Sequence, residues 1–120
     1  MEELINIAGK QFYYSTMDQL IERCSQKEKC ALIIDNDHID ELLNKAMDII
    51  GTCVNQLIIV SGNVNTTLPH FIGKDVLIMA ADNFEEAVRF AIYGDALSKE
   101  VICIPKEEDN IKGKIVDIII

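Results

Sequence analysis

Residues 31–38 read ALIIDNDH: four apolar residues followed without transition by Asp35, Asn36, Asp37 and His38. A short apolar run without alternation marks a strand buried on both faces, the usual state of a strand in a parallel sheet. The same edge recurs three times. LIIV at 57–60 breaks into SGNVN, VLIMA at 76–80 into ADN, and VICI at 101–104 into PKEEDN. Helical patterns lie between the runs, and strands alternating with helices specify an open α/β sheet. In such sheets ligands bind outside the carboxyl ends of the strands, where the strand order reverses. The repeated edge therefore fixes where a site would lie. No complete catalytic or cofactor motif stands on it to say what the site does.

Working outward, residues 39–50 place Ile39, Leu42, Leu43, Ala46, Met47 and Ile50 on one helical stripe. Asp37 is positioned to cap that helix and Gly51 to end it. Upstream, residues 11–14 read as a short first strand. Thr16 and Gln19 then form a capping box, with Met17, Leu20, Ile21 and Cys24 following at helical spacing. Downstream, Asp82 and Glu85 read as a second capping box. It opens a helix with Phe84, Ala87, Val88 and Ala91 inside and Gly94 as its break. Residues 61–74 are polar, hold Pro69 and show no period, so this link is irregular or reverses the strand direction. Residues 106–113 form a charged loop. Residues 114–120, KIVDIII, read as a final β-branched strand, antiparallel because so short a link cannot make a parallel crossover. The expectation is one domain over residues 1–120: a Rossmann-like, mostly parallel open sheet of about six strands. It has three main helices and an antiparallel C-terminal strand.

Composition narrows the class. The 120 residues carry 20 acidic and 11 basic side chains, for a net charge of −9. Nucleic acid and anionic membrane surfaces both need basic patches, so neither is expected as a partner. With 49% apolar and 26% charged residues the chain is not a disordered one. No run approaches the ~18 apolar residues of a membrane helix. The opening MEELINIAGK carries acids where a secretory signal carries Lys or Arg. Cys24, Cys30, Cys53 and Cys103 contain no C-x-x-C pair and have no His at zinc spacing. Three of them sit in or beside apolar patterns and read as buried, reduced thiols of a cytoplasmic protein.

The residues with chemistry gather at the strand ends. Asp35, Asp37, Asp82 and Glu85 are of the type that holds Mg²⁺, yet capping is the sharper signature for Asp37 and Asp82. Ser61, Gly62, Asn63, Asn65, Thr66 and Thr67 resemble an anion cradle in composition but lack both G-x-x-x-x-G-K-[ST] and G-x-G-x-x-G. His38 and His70 have no nucleophile beside them. Lys106 reads as a solvated charge. The candidate binding residues are therefore Asp35, Asp37, Ser61, Asn63, Asp82 and Asn83, gathered at one rim. That rim suits a small polar ligand or a peptide carboxylate, with no cofactor.

FYYSTMDQLIERC at 12–24, CALIID at 30–35, QLIIV at 56–60, DVLIMAADNFEEAVRFA at 75–91 and VICIP at 101–105 together resemble the C-terminal domain of the Mur ligases. These are the ATP-dependent amino-acid ligases of peptidoglycan synthesis, and this domain of theirs is Rossmann-like. The likeness covers about residues 11–104. The family's Gly-Lys-Thr/Ser loop and central ATP-binding domain have no counterpart here. Its first loop offers Asp and Asn-Pro where this chain reads YYSTMD, and residues 105–109 replace its closing substrate segment. The resemblance implies a Mur-ligase-like domain without ligase activity of its own, tied to cell-wall metabolism and binding a small polar ligand or a protein partner. ALIIDNDHIDELL at 31–43 and Pro105-Lys106 also resemble parts of a response-regulator receiver, though in reversed order and with Ser61 where the phosphoacceptor Asp belongs. A degenerate signalling domain and a small Mg²⁺-dependent enzyme are the alternatives. The apolar strand at 114–120, if it is an uncovered edge, implies a homodimer.

Overall fold

The structure, a computed structural model, describes residues 1–25, 28–93, 98–106 and 111–119. The strands are β1 (Glu2–Ile7), β2 (Lys10–Tyr14), β3 (Cys30–Asp35), β4 (Val54–Val60), β5 (Leu77–Ala81) and β6 (Glu100–Ile104). The helices are α1 (Met17–Cys24), α2 (Ile39–Lys45), α3 (Val64–Thr67), α4 (Phe84–Tyr93) and α5 (Ile111–Ile119). One six-stranded sheet runs in the order β1-β2-β6-β3-β4-β5. Among the described residues only β1 and β2 pair antiparallel; every other strand pair is parallel. This is a Rossmann-like open α/β sheet.

All six residues of β3 are buried, which accounts for its unbroken apolar run. Successive side chains of a strand point to opposite faces. Leu32 and Ile34 join a core with Met17 and Leu20 of α1 and with Ile39 and Leu42 of α2. Ala31 and Ile33 join a second core with Ala87, Val88 and Ala91 of α4 and with Ile111 and Ile115 of α5. The chain thus crosses one face while it builds β3, β4 and β5, then returns across the other to place β6 between β2 and β3. At that reversal the chain leaves β3 towards one face and β6 towards the other.

Several expectations need correction. Residues 114–119 are not an antiparallel strand; they belong to α5. Isoleucine and valine favour strands, but Ile111, Ile115 and Ile118 recur at spacings of four and three and pack one stripe on the second core. Burial of that stripe outweighs the weaker intrinsic preference. The edge-strand ground for a homodimer goes with it. The antiparallel pair lies instead at the other end of the chain. Ala8 (φ 53°) and Gly9 (φ 80°) both adopt positive φ, the backbone of the tight turn that matches strand twist.

The irregular link at 61–74 holds α3 and a 3₁₀ turn at Leu68–Phe71, with Pro69 at its start. It leaves β5 parallel to β4. The single helix expected over 39–50 is a 3₁₀ turn at Asn36–His38, then α2, then a second 3₁₀ turn at Met47–Ile49. Among the described residues α3 and α5 are added to the three main helices expected, α1, α2 and α4. Gly94, expected to break α4, lies outside the described residues, as do residues 107–110 of the charged loop and residue 120. Among the described residues no helix is long and apolar enough to cross a membrane.

Candidate functional site

Parallel pairing in register levels the carboxyl ends of three neighbouring strands. Asp35 stands opposite Val60, and Val60 opposite Ala81; on the other side of β3, Ile34 stands opposite Ile104. The polar residues that follow these strands therefore emerge together. A cavity of about 250 Å³ opens there, on the α4–α5 side of the sheet. Ile33, Val60, Phe84, Pro105 and Ile111 supply its apolar walls. Asp35, Ser61, Asn83, Lys106 and Lys114 supply its polar groups.

Of the six candidate residues, Asp35, Ser61 and Asn83 line this cavity, and Asp37, Asn63 and Asp82 do not. Asp37 forms an exposed ion pair with Lys106, 3.7 Å away, of the kind worth little in water. Asn63 caps α3, accepting from the Asn65 amide at 3.1 Å. Asp82 contributes its carbonyl, which accepts from Ser61 Oγ at 3.2 Å.

Lys106 had read as a bystander and Lys114 as part of a strand. Both face the cavity because β6 ends beside β3 and α5 then returns over it. Sequence alone held no signal for this, since a strand order is not a local property. Apolar wall residues are likewise indistinguishable from core residues until the topology is known.

Two backbone features shape the mouth. Ser61 takes φ 62°, a left-handed conformation uncommon outside glycine, and it is held there by its amide bonding to the Ala81 carbonyl at 2.9 Å. Next to it, a Cβ on Gly62 would lie 2.8 Å from Asn36 Oδ1 and 2.9 Å from Ile59 Cγ2. Only glycine lets the loop after β4 press against the loop after β3. His38 Nε2 lies 3.1 Å from the Pro105 carbonyl. A carbonyl only accepts, so this nitrogen carries the proton and ties the β3 loop to the end of β6.

The caps fall one or two residues from where they were expected. Asp35, not Asp37, accepts from a helical amide, that of Asp37 at 3.0 Å. Asn83, not Asp82, caps α4 by accepting from Glu86 N at 2.8 Å, and Glu86 reaches back to the Asp82 amide. Glu85 pairs instead with Arg89, at 2.6 Å. The Thr16–Gln19 capping box is present in full. Asp35 and Asn83 thus both cap a turn and line the cavity.

The reading of buried, reduced thiols is corrected for two of the cysteines. Cys24 and Cys53 form a disulfide, their Cα atoms 5.5 Å apart, within the span such a bond requires. Disulfides are rare in cytosolic proteins, so the cysteines no longer argue for a cytoplasmic chain. Cys30 and Cys103 are free and buried. Burial pushes the Cys103 thiol up to about 12. Burial pushes Cys30 up to about 11, against the opposing pull of the Arg23 guanidinium.

Compared with known proteins, the chain matches no family model, and no curated protein matches it.

Proposed function

We propose that the chain is a binding module for a small anionic molecule with an apolar body, held in the cavity at the carboxyl ends of β3, β4 and β6. It does no chemistry alone. The observation that carries this reading is the composition of that cavity: two lysines, Lys106 and Lys114, beside the apolar walls of Ile33, Val60, Phe84 and Ile111. A volume of about 250 Å³ falls below the ~300–1,000 Å³ of sites for drug-sized molecules. The part of the ligand held there is therefore small, on the scale of an acylated amino acid, while a more open groove of about 480 Å³ adjoins it at Asn83, Phe84 and Lys114. The exposed pairing of Lys106 with Asp37 is weak enough for a ligand anion to recruit that lysine. Ser61 and Asn83 offer hydrogen bonds that fix orientation.

The likeness to the Mur ligase C-terminal domain points the same way, towards a carboxylate-bearing cell-wall precursor. Calorimetric titration with N-acetylleucine and with inorganic phosphate tests the reading. The amphiphilic carboxylate should bind and phosphate should bind more weakly. Lys106→Ala and Lys114→Ala should each weaken binding about tenfold, the scale of one charge-assisted hydrogen bond. Binding that is equal in both variants and the parent chain would end the proposal.

A further inference from the structure

Far from that cavity, three cysteines from three separate segments meet. Cys24 ends α1, Cys30 opens β3, and Cys53 lies in the turn before β4. Their sulfur atoms all lie within 4.8 Å of one another. A disulfide needs two of them, and Cys24 and Cys53 supply it. The third has no part in that bond, yet it sits fully buried at the same point. The spacing of five and then 22 intervening residues matches no familiar metal motif; the parallel pairing of β3 with β4 and the packing of α1 on the sheet close the group.

We propose that, when the Cys24–Cys53 bond is reduced, Cys24, Cys30 and Cys53 together bind a thiophilic divalent metal ion of the zinc class. Sulfur ligands without carboxylates select such ions over Mg²⁺ or Ca²⁺. The surroundings suit a thiolate group. Arg23 is buried, and its Nη1 lies 3.4 Å from Cys53 Sγ and 3.1 Å from the Glu28 carbonyl, while Nη2 pairs with Glu100. Three thiolates on a divalent ion leave one negative charge, and the guanidinium end facing Cys53 is placed to offset it. The Glu28 carbonyl oxygen, 3.1 Å from Cys53 Sγ, stands beside the group as a further oxygen donor. Binding exchanges three thiol protons for the metal, with the protons going to solvent. Forming the disulfide removes two of the three ligands, so metal and disulfide exclude each other. Cys103 lies in the core on the other side of the sheet and takes no part.

The test uses the whole chain, reduced with a phosphine under inert gas and titrated with Co²⁺ and then Zn²⁺. The expected result is one equivalent of Co²⁺ with thiolate-to-cobalt charge-transfer absorption, bleached by Zn²⁺. Cys30→Ser should weaken binding by more than about 100-fold, since even outer-shell changes cost 10–100-fold; Cys103→Ser should leave it unchanged. On the parent chain itself, Zn²⁺ should slow alkylation of Cys24, Cys30 and Cys53, read peptide by peptide. A chain reoxidised with glutathione disulfide, which takes the two electrons and two protons of Cys24 and Cys53, should bind no metal. Absence of charge transfer in the reduced chain, equal binding by the oxidised chain, or a Zn²⁺ effect on Cys103 alone would overturn the proposal.

Discussion

Asp35 does two things at once: its carboxylate accepts the Asp37 amide, and the same side chain lines the cavity. Replacing it by Ala removes a cap worth ~1 kcal/mol, whereas Asp37→Ala removes only an exposed ion pair and should change stability by less than about 0.5 kcal/mol. Urea unfolding of both variants checks the order, and a larger loss for Asp37 would contradict it. Because β4 is followed by Ser61 where a receiver carries its phosphoacceptor Asp, acetyl phosphate with Mg²⁺ should leave the protein's mass unchanged. A phosphoryl adduct on Asp35 would revive the receiver reading.

The buried thiols give a pH prediction. Cys103 and Cys30 hold their protons to about 12 and about 11, against 9.0 when unperturbed. Above pH 9 the unfolded chain therefore binds fewer protons than the folded one. Stability contributed by these groups is intact below that point and is lost as pH rises through the folded values. The urea midpoint should fall between about pH 8 and about pH 10.5; a midpoint that rises would show the sign is wrong.

At the scale of elements, α5 is where sequence and structure part. Its stripe of Ile111, Ile115 and Ile118 was present in the sequence, but the run KIVDIII also fits a strand, and a short apolar run does not decide between the two. The helical account makes a periodic prediction. Ile111→Ala and Ile115→Ala remove buried side chains and should each cost 2–5 kcal/mol. Asp117→Ala, on the exposed side of α5, should cost under about 0.5 kcal/mol. An alternating pattern, with 117 as sensitive as 115, would restore the strand.

Other elements were legible for physical reasons. The β3 run is apolar throughout because both its faces are covered. The Thr16–Gln19 box announced α1 because the capping bonds lie within four residues. The β1–β2 hairpin was hidden because Ala8-Gly9 is not among the dipeptides that mark such turns. The cysteine group was hidden because its members meet only through the pairing of β3 with β4 and the packing of α1 on the sheet.

At the scale of the molecule, the alternation of apolar runs and helices sufficed for the α/β class, but the order of strands did not follow from it. That order is what sets β6 beside β3 and so brings Lys106 and Lys114 over Asp35 and Ser61. Half of the candidate rim residues line the cavity, and the two lysines could be added only once the chain's return path was known. The sequence carries neither of the familiar Gly-rich phosphate-loop patterns. Titration with Mg-ATP should therefore give no heat of binding, and a micromolar dissociation constant would contradict the binding-module account.

The central claim is the place of the ligand, and amide chemical-shift mapping with N-acetylleucine tests it most directly. The account predicts saturable shifts centred on Asp35, Ser61, Asn83, Lys106 and Lys114. Shifts centred instead on Gly51 and Lys74, away from those strand ends, or no saturable shifts at all, would contradict it.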